Sequence, residues 1–196
     1  MRAAGGGIRD AWHGVQFYDD DQQLCASVSD YLAAGFVAGD ALMVVSTPEH
    51  WSAFSDRLQA TGHDVDGARA EGQLVTLDAR ETLSRFVRDS MPDESLFRAT
   101  LEPQIVRCTH EKVGRLRIYG EMVDLLWRDG NTLAALLLEQ QWNGLHQTGS
   151  FWLFCGYVSE PFELRSTDVQ DICGAHTHVI QTRVGSAKRS SGVTSR

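Results

Sequence analysis

Apolar runs of strand length, separated by stretches with helical periodicity, predict an α/β fold in which a mainly parallel central sheet lies between two helical layers. Three observations carry this prediction. The runs ALMVVS (41–46) and FWLFCGY (151–157) are apolar throughout rather than alternating, as expected of strands covered on both faces. Helix start and stop signals follow the strand-like runs in turn. With 196 residues, 42% of them hydrophobic, and with no internal repeat or dividing linker, the chain can fill one substantial core.

The first strand is HGVQFY (13–18), and the acidic turn Asp19, Asp20 and Asp21 leads into a helix. There Leu24, Val28, Tyr31, Leu32 and Gly35 share a face, Asp20 with Gln23 resembles a capping box, and Gly39 marks the stop. ALMVVS is the second strand, and Pro48 suits the first turn of the next helix. QLVTLD (73–78) is the third strand; the helix after it carries Leu83, Phe86 and Val87 on one face. A long helical stretch (93–111) precedes the fourth strand, RLRIYGE (115–121). MVDLLWRDG and NTLAALLLEQQWNGLH are helices split at Gly130 and Asn131, FWLFCGY is the fifth strand, and a last helix is expected over 168–181.

The net charge of −8 leaves no clustered Lys and Arg for phosphate neutralisation, which excludes a nucleic-acid partner. Residues 183–196 hold four basic and no acidic residues among Ser and Gly, and read as a disordered basic tail; residues 1–11 read as a flexible N-terminus. No run approaches a membrane span or a secretory signal, so a cytoplasmic protein with no membrane partner is expected. Cys25, Cys108, Cys155 and Cys173 are widely spaced with no CxxC pair, which fits reduced thiols.

In a parallel α/β sheet ligands bind at the carboxyl ends of the strands. That rule selects Tyr18 with Asp19, then Glu49 and His50, then Asp78, Glu121 and Tyr157. Asp19 and Asp78 are better explained as helix caps. Glu121 stands where nucleotide-hydrolysing α/β proteins place an acidic residue. No GxxxxGK[ST] loop accompanies it: neither Lys112 nor Lys188 follows a glycine, and three carboxylates after the first strand would repel phosphate. No hydrolase motif is present, so the chain is not expected to be an enzyme, and no cofactor is expected. Acid–base pairing of His13 with Glu121 would need both at one end of the sheet, whereas one opens a strand and the other closes one. Cys173, His176 and His178 form CGAHTH, a weak metal motif, since ligands two apart on a helix face different ways and would need distant help such as Cys155.

The segments HGVQFYDDD, AAGFVAGDALMVVSTPEH, GQLVTLDARETL, RIYGEMVDLLWRDGN, LEQQWN, FCGY and ICGAHTHV, in that order, resemble the MEDS domain, the methanogen and methylotroph sensory domain named in part from a dichloromethane-responsive repressor. The resemblance spans about Trp12 to Val179 and sets the domain at residues 12–182. It implies a three-layer RecA-like sandwich, related to the clock protein KaiC, without a phosphate loop. It also implies a sensor of small molecules, hydrocarbon derivatives among them. The matching motif residues are His13, Tyr18, Glu121, Trp142, Asn143 and His176. Trp142 shares helical spacing with Leu138 and Leu145 and reads as core; Asn143 either caps the helix end or faces the pocket.

The expectation is a stand-alone sensory domain whose ligand site comprises His13, Tyr18, Asp19, His50, Glu121, Asn143 and Tyr157. Output would pass to a signalling protein such as a histidine kinase or anti-sigma-type regulator, or through a homo-oligomeric contact. The competing readings are a ligand-free interaction module and a metal-assisted hydrolase using Glu121 with histidines.

Overall fold

A computed structural model describes residues 12–109, 114–146, 151–159 and 166–180. The N-terminal stretch and the basic tail expected above lie outside the described residues. The chain begins with β1 (Trp12–Tyr18), α1 (Asp21–Ala38), β2 (Ala41–Ser46), α2 (Pro48–Ala60), α3 (Val65–Ala70), β3 (Leu74–Asp78) and α4 (Ala79–Phe86). A short hairpin, β4 (Val87–Arg88) and β5 (Met91–Pro92), leads to α5 (Glu94–Thr109), β6 (Leu116–Gly120), α6 (Met122–Arg128) and α7 (Thr132–His146). The order closes with β7 (Phe151–Val158), α8 (Ser166–Ala175) and β8 (His178–Ile180).

Six strands form one sheet in the order β3-β2-β6-β7-β1-β8, every neighbouring pair parallel. Leu24, Val28 and Leu32 of α1, Phe54 and Leu58 of α2, and Val65 and Ala68 of α3 pack on one face. Helices α4 to α8 cover the other, around Phe86, Phe97, Leu101, Trp127, Leu138, Trp142 and Ile172. The three layers explain why β2 has six buried residues in a row.

The expected punctuation is in place. Asp20 caps α1 through Gln23 N, and Gly39 ends it in the left-handed region at φ 68°. Thr47 caps α2 one residue before Pro48, and Asp78 caps α4 through Glu81 N.

Three readings need correction. Beyond the five expected strands, the structure adds β8 to the sheet and the β4–β5 hairpin outside it. The hairpin escaped notice because its turn uses Asp89 (φ 48°) and Ser90 (φ 65°), neither of them glycine, with Asn131 Nδ2 donating to Ser90 O at 2.6 Å. Helix α3 lies within what read as a glycine-containing connection. The last helix stops at Ala175, six residues short of expectation. His176 Nδ1 donates back to Ile172 O, and Thr177 N donates to His13 O at 2.8 Å, drawing the chain onto the sheet as β8.

Trp142 is fully buried, edge-on to Phe97 with centroids 5.2 Å apart and against Phe151, so its expected core role holds. Trp142→Ala should cost about 3–5 kcal/mol of stability in chemical denaturation; a loss below about 1 kcal/mol would mean that this contact is not formed.

Candidate functional site

The residues selected from sequence fall into two groups, one at the carboxyl ends of the strands and one buried between the sheet and α7. At the carboxyl ends of the strands, Glu121 follows β6 and is buried beside the end of β2. Its backbone N donates to Val45 O, and its side chain accepts from Thr47 N at 3.0 Å and Thr47 Oγ1 at 3.3 Å. His50 Nδ1 meets Glu121 Oε1 at 2.8 Å, and His50 Nε2 lies 3.3 Å from Asp21. Beside this group Tyr18 OH donates to Asp124 at 2.6 Å, Arg128 Nε donates to the same oxygen at 2.8 Å, and Val158 N donates to the other. Arg128 Nη2 also reaches Tyr18 OH at 2.7 Å.

Burial, reinforced by the Asp124 carboxylate, raises the Tyr18 hydroxyl far above its ordinary range and keeps it a neutral donor. Asp19 is exposed at the rim, its backbone N donating to Gln23 Oε1. Only Asp19 and Asp20 separate β1 from α1, too short a connection for a GxxxxGK[ST] loop, and the Asp20 carboxylate already occupies the helix N-terminus.

His13, Asn143 and Tyr157 do not join this rim. They belong to a buried cluster on the α4–α8 side of the sheet, which corrects the expectation of a single strand-end pocket. In β1 and β7 alternate residues share a face, so His13, level with Leu153, lies on the same face as Cys155 and Tyr157, the last of these level with Phe17. Above them α7 presents Glu139, Asn143 and His146, spaced four and three apart on one stripe. From beyond α8 comes His176. The four donors of His13, Glu139, Cys155 and His176 lie within 4.8 Å of one another.

Glu139 is the centre of the cluster, with 0% exposure. One carboxylate oxygen lies 3.2 Å from His13 Nε2 and 3.7 Å from Cys155 Sγ; the other accepts from Tyr157 OH at 2.7 Å and lies 3.3 Å from His176 Nε2. His13 Nε2 is 3.4 Å from Cys155 Sγ. Burial alone would keep Glu139 protonated, but His176 and His13 override it and hold the carboxyl well below the usual range. Burial likewise works against protonation of His176, and Glu139 more than offsets it, raising the His176 pKa. Burial and then Glu139 push the Cys155 thiol up. His146, edge-on to His13, is lowered to about 4 by burial and by His13, so it stays neutral.

Of the CGAHTH residues only His176 enters the cluster. Cys173 is half-buried elsewhere on α8, and His178 is exposed in β8 with its ring against Trp12. Glu139, Asp124 and Arg128 were missed from sequence. Both carboxylates stand alone in apolar helical runs, LLLEQ and MVDLLW, which is the pattern of a buried polar residue with a distant partner. A separate cleft of about 820 Å³ lies at the sheet edge between β3 and α5, lined by Glu71, Val75, Val106 and Arg107 among others. No described helix is long and apolar enough to cross a membrane.

The rim yields a pH prediction. The hydrogen bond that His50 donates to Glu121 raises the His50 pKa above its ordinary 6.5, against a smaller cost of burial and with help from Asp21. A raised pKa means that the folded protein binds this proton more tightly than the unfolded chain. The stabilisation is therefore fully present below about pH 6.5 and is lost as pH rises through the folded value. The stability advantage of wild type over His50→Gln should shrink as pH rises from about 6.5 through the folded value; an advantage that stays constant as pH rises would contradict the assignment.

The family profile of MEDS, the "MEthanogen/methylotroph, DcmR Sensory domain", matches residues 12–177, which takes in β1 at one end and His176 at the other. A search of the curated proteins finds no match. With most of its length covered by that profile, the chain belongs to the MEDS family of sensory domains.

Proposed function

We propose that this domain senses a small ligand held at the buried cluster of His13, Glu139, Cys155 and His176, and that occupancy sets how firmly α8 and β8 are docked on the core. The observation that carries the reading is the sharing of the Glu139 carboxylate between His13 on the sheet and His176 in the last described segment. A buried charge is costly unless fully paired, so a cluster that joins two parts of the fold is either complete or strongly destabilised. That is the behaviour a switch requires. Among the described residues the other polar ties between this segment and the rest of the fold include three β1–β8 residue pairs, Thr177 to His13, and Asn143 Nδ2 to Ala175 O.

Output then passes to a protein partner, a histidine kinase or anti-sigma-type regulator being the kind expected, which would read the docked or released segment. The filled N-terminus of α1 and the two-residue turn before it support a sensor that does not hydrolyse ATP. The competing reading, a ligand-free interaction module, is favoured by the internal pairing of Glu121 and Asp124 at the strand ends. It assigns the Glu139 cluster a purely structural role.

Hydrogen exchange tests the docking through Glu139 on which the sensor reading depends. Glu139→Gln keeps the shape but removes the charge, and a charged hydrogen bond is worth about 1.5–3 kcal/mol. Amides of residues 172–180 should exchange on the order of ten-fold faster or more, while those of β2 are unchanged. Equal exchange at 172–180 in variant and wild type would sink the sensor reading.

A further inference from the structure

We infer that the occupant of the cluster is a divalent transition-metal ion of the zinc class, bound by His13 Nε2, Glu139, Cys155 Sγ and His176 Nε2. The inference deepens the sensor reading and rests on it for any regulatory consequence. A tetrahedral ion with bonds of about 2.0–2.3 Å sets its donors about 3.3–3.8 Å apart. Three of the donors are already spaced within about 0.1 Å of that range: His13 to Glu139 at 3.2 Å, His13 to Cys155 at 3.4 Å, and Cys155 to Glu139 at 3.7 Å.

The hydrogen bonds around the cluster fix which nitrogen each histidine offers. His176 Nδ1 lies 2.6 Å from Ile172 O, and a carbonyl can only accept, so Nδ1 carries the hydrogen. His176 Nε2 is then left facing Glu139, buried and without a hydrogen-bond partner. Asn143 Nδ2 must donate to Ala175 O, which turns Oδ1 toward His13 Nδ1 at 3.0 Å; that nitrogen therefore donates. Both rings thus aim an Nε2 lone pair at the carboxylate, an arrangement that repels unless a proton or a cation lies between. Orientation of histidine through its outer nitrogen is the usual support of a metal ligand. Tyr157 OH ties down one Glu139 oxygen and leaves the other toward His13 and Cys155.

Charge and donor type select the ion. One thiolate, one carboxylate and two neutral imidazoles balance a divalent cation, so the filled site is neutral in a dry interior. Thiolate and imidazole favour zinc-like ions over magnesium or calcium, which take oxygen ligands. On binding, the Cys155 thiol gives up its proton to solvent as the S–metal bond forms, and any proton on the histidines leaves with it. Four protein donors close the coordination sphere and leave no position for a reacting water, which suits a structural or sensing ion rather than a hydrolytic one.

The test is titration of the untagged, reduced, chelator-treated full chain with Co²⁺ and then Zn²⁺. We expect one equivalent of Co²⁺, a near-ultraviolet thiolate-to-cobalt charge-transfer band, displacement by Zn²⁺, and an X-ray absorption spectrum of the wild-type zinc form with one sulfur and three lighter donors. Cys155→Ser should abolish the band, and Asn143→Ala, which removes a positioning residue, should weaken binding about 10–100-fold. Absence of saturable binding, or a wild-type zinc shell without sulfur, overturns the inference. The two readings fail separately. A metal site with unchanged exchange at 172–180 on metal addition supports the ion and removes the sensor, whereas faster exchange in Glu139→Gln without metal binding overturns the ion and leaves the sensor.

Discussion

The structure turns on one carboxylate. Glu139 lies inside a face otherwise built from Leu138, Trp142, Leu153 and Ile172, where an ionised group survives only because Tyr157, His13 and His176 answer it. Those partners come from β7, β1 and the segment after α8, so a single side chain joins the interior of the sheet to its last strand. Its surroundings follow. Asn143 and Ile172 fix the two rings, α8 ends where His176 turns inward, and β8 pairs with β1 because Thr177 is held at the His13 backbone.

The strand ends show the opposite economy. In an open α/β sheet that edge is the default ligand site, and its helix N-terminus the default anion site. Here Asp20 fills the N-terminus of α1, while Glu121 and Asp124 are answered by Thr47, His50, Tyr18, Arg128 and the Val158 amide. The acidic residues kept at this edge therefore serve to tie β1 and β7 to α6, through Asp124, and the end of β6 to the start of α2, through Glu121. Polar chemistry without a full internal explanation lies deeper, at His176 Nε2.

Much of the fold was legible because its signals are local. The unbroken apolar run of β2, the Asp20 and Gly39 boundaries of α1, Pro48 and the Asp78 cap each state their role within a few residues. The site was legible only in pieces. His13, Asn143, Tyr157 and His176 were all noticed, but His13 and Asn143 are 130 positions apart, and no periodicity reports such a contact. Glu139 was hidden by the apolar helix around it, and Asp124 likewise. Grouping Tyr157 with Tyr18 followed the strand-end rule faithfully; the rule does not say which face a side chain takes, and Tyr157 turns toward α7. The β4–β5 turn failed for another reason, since it holds left-handed backbone at Asp89 and Ser90 without the glycine that would announce it.

The most direct test of the shared carboxylate is a double-mutant cycle on stability with Glu139→Gln and His176→Gln in the chelator-treated protein. The account predicts that the two changes are coupled by about 1–3 kcal/mol, because each removes the partner of the other. Additive losses, with coupling indistinguishable from zero, would show that the last segment is docked independently of Glu139 and would contradict the account.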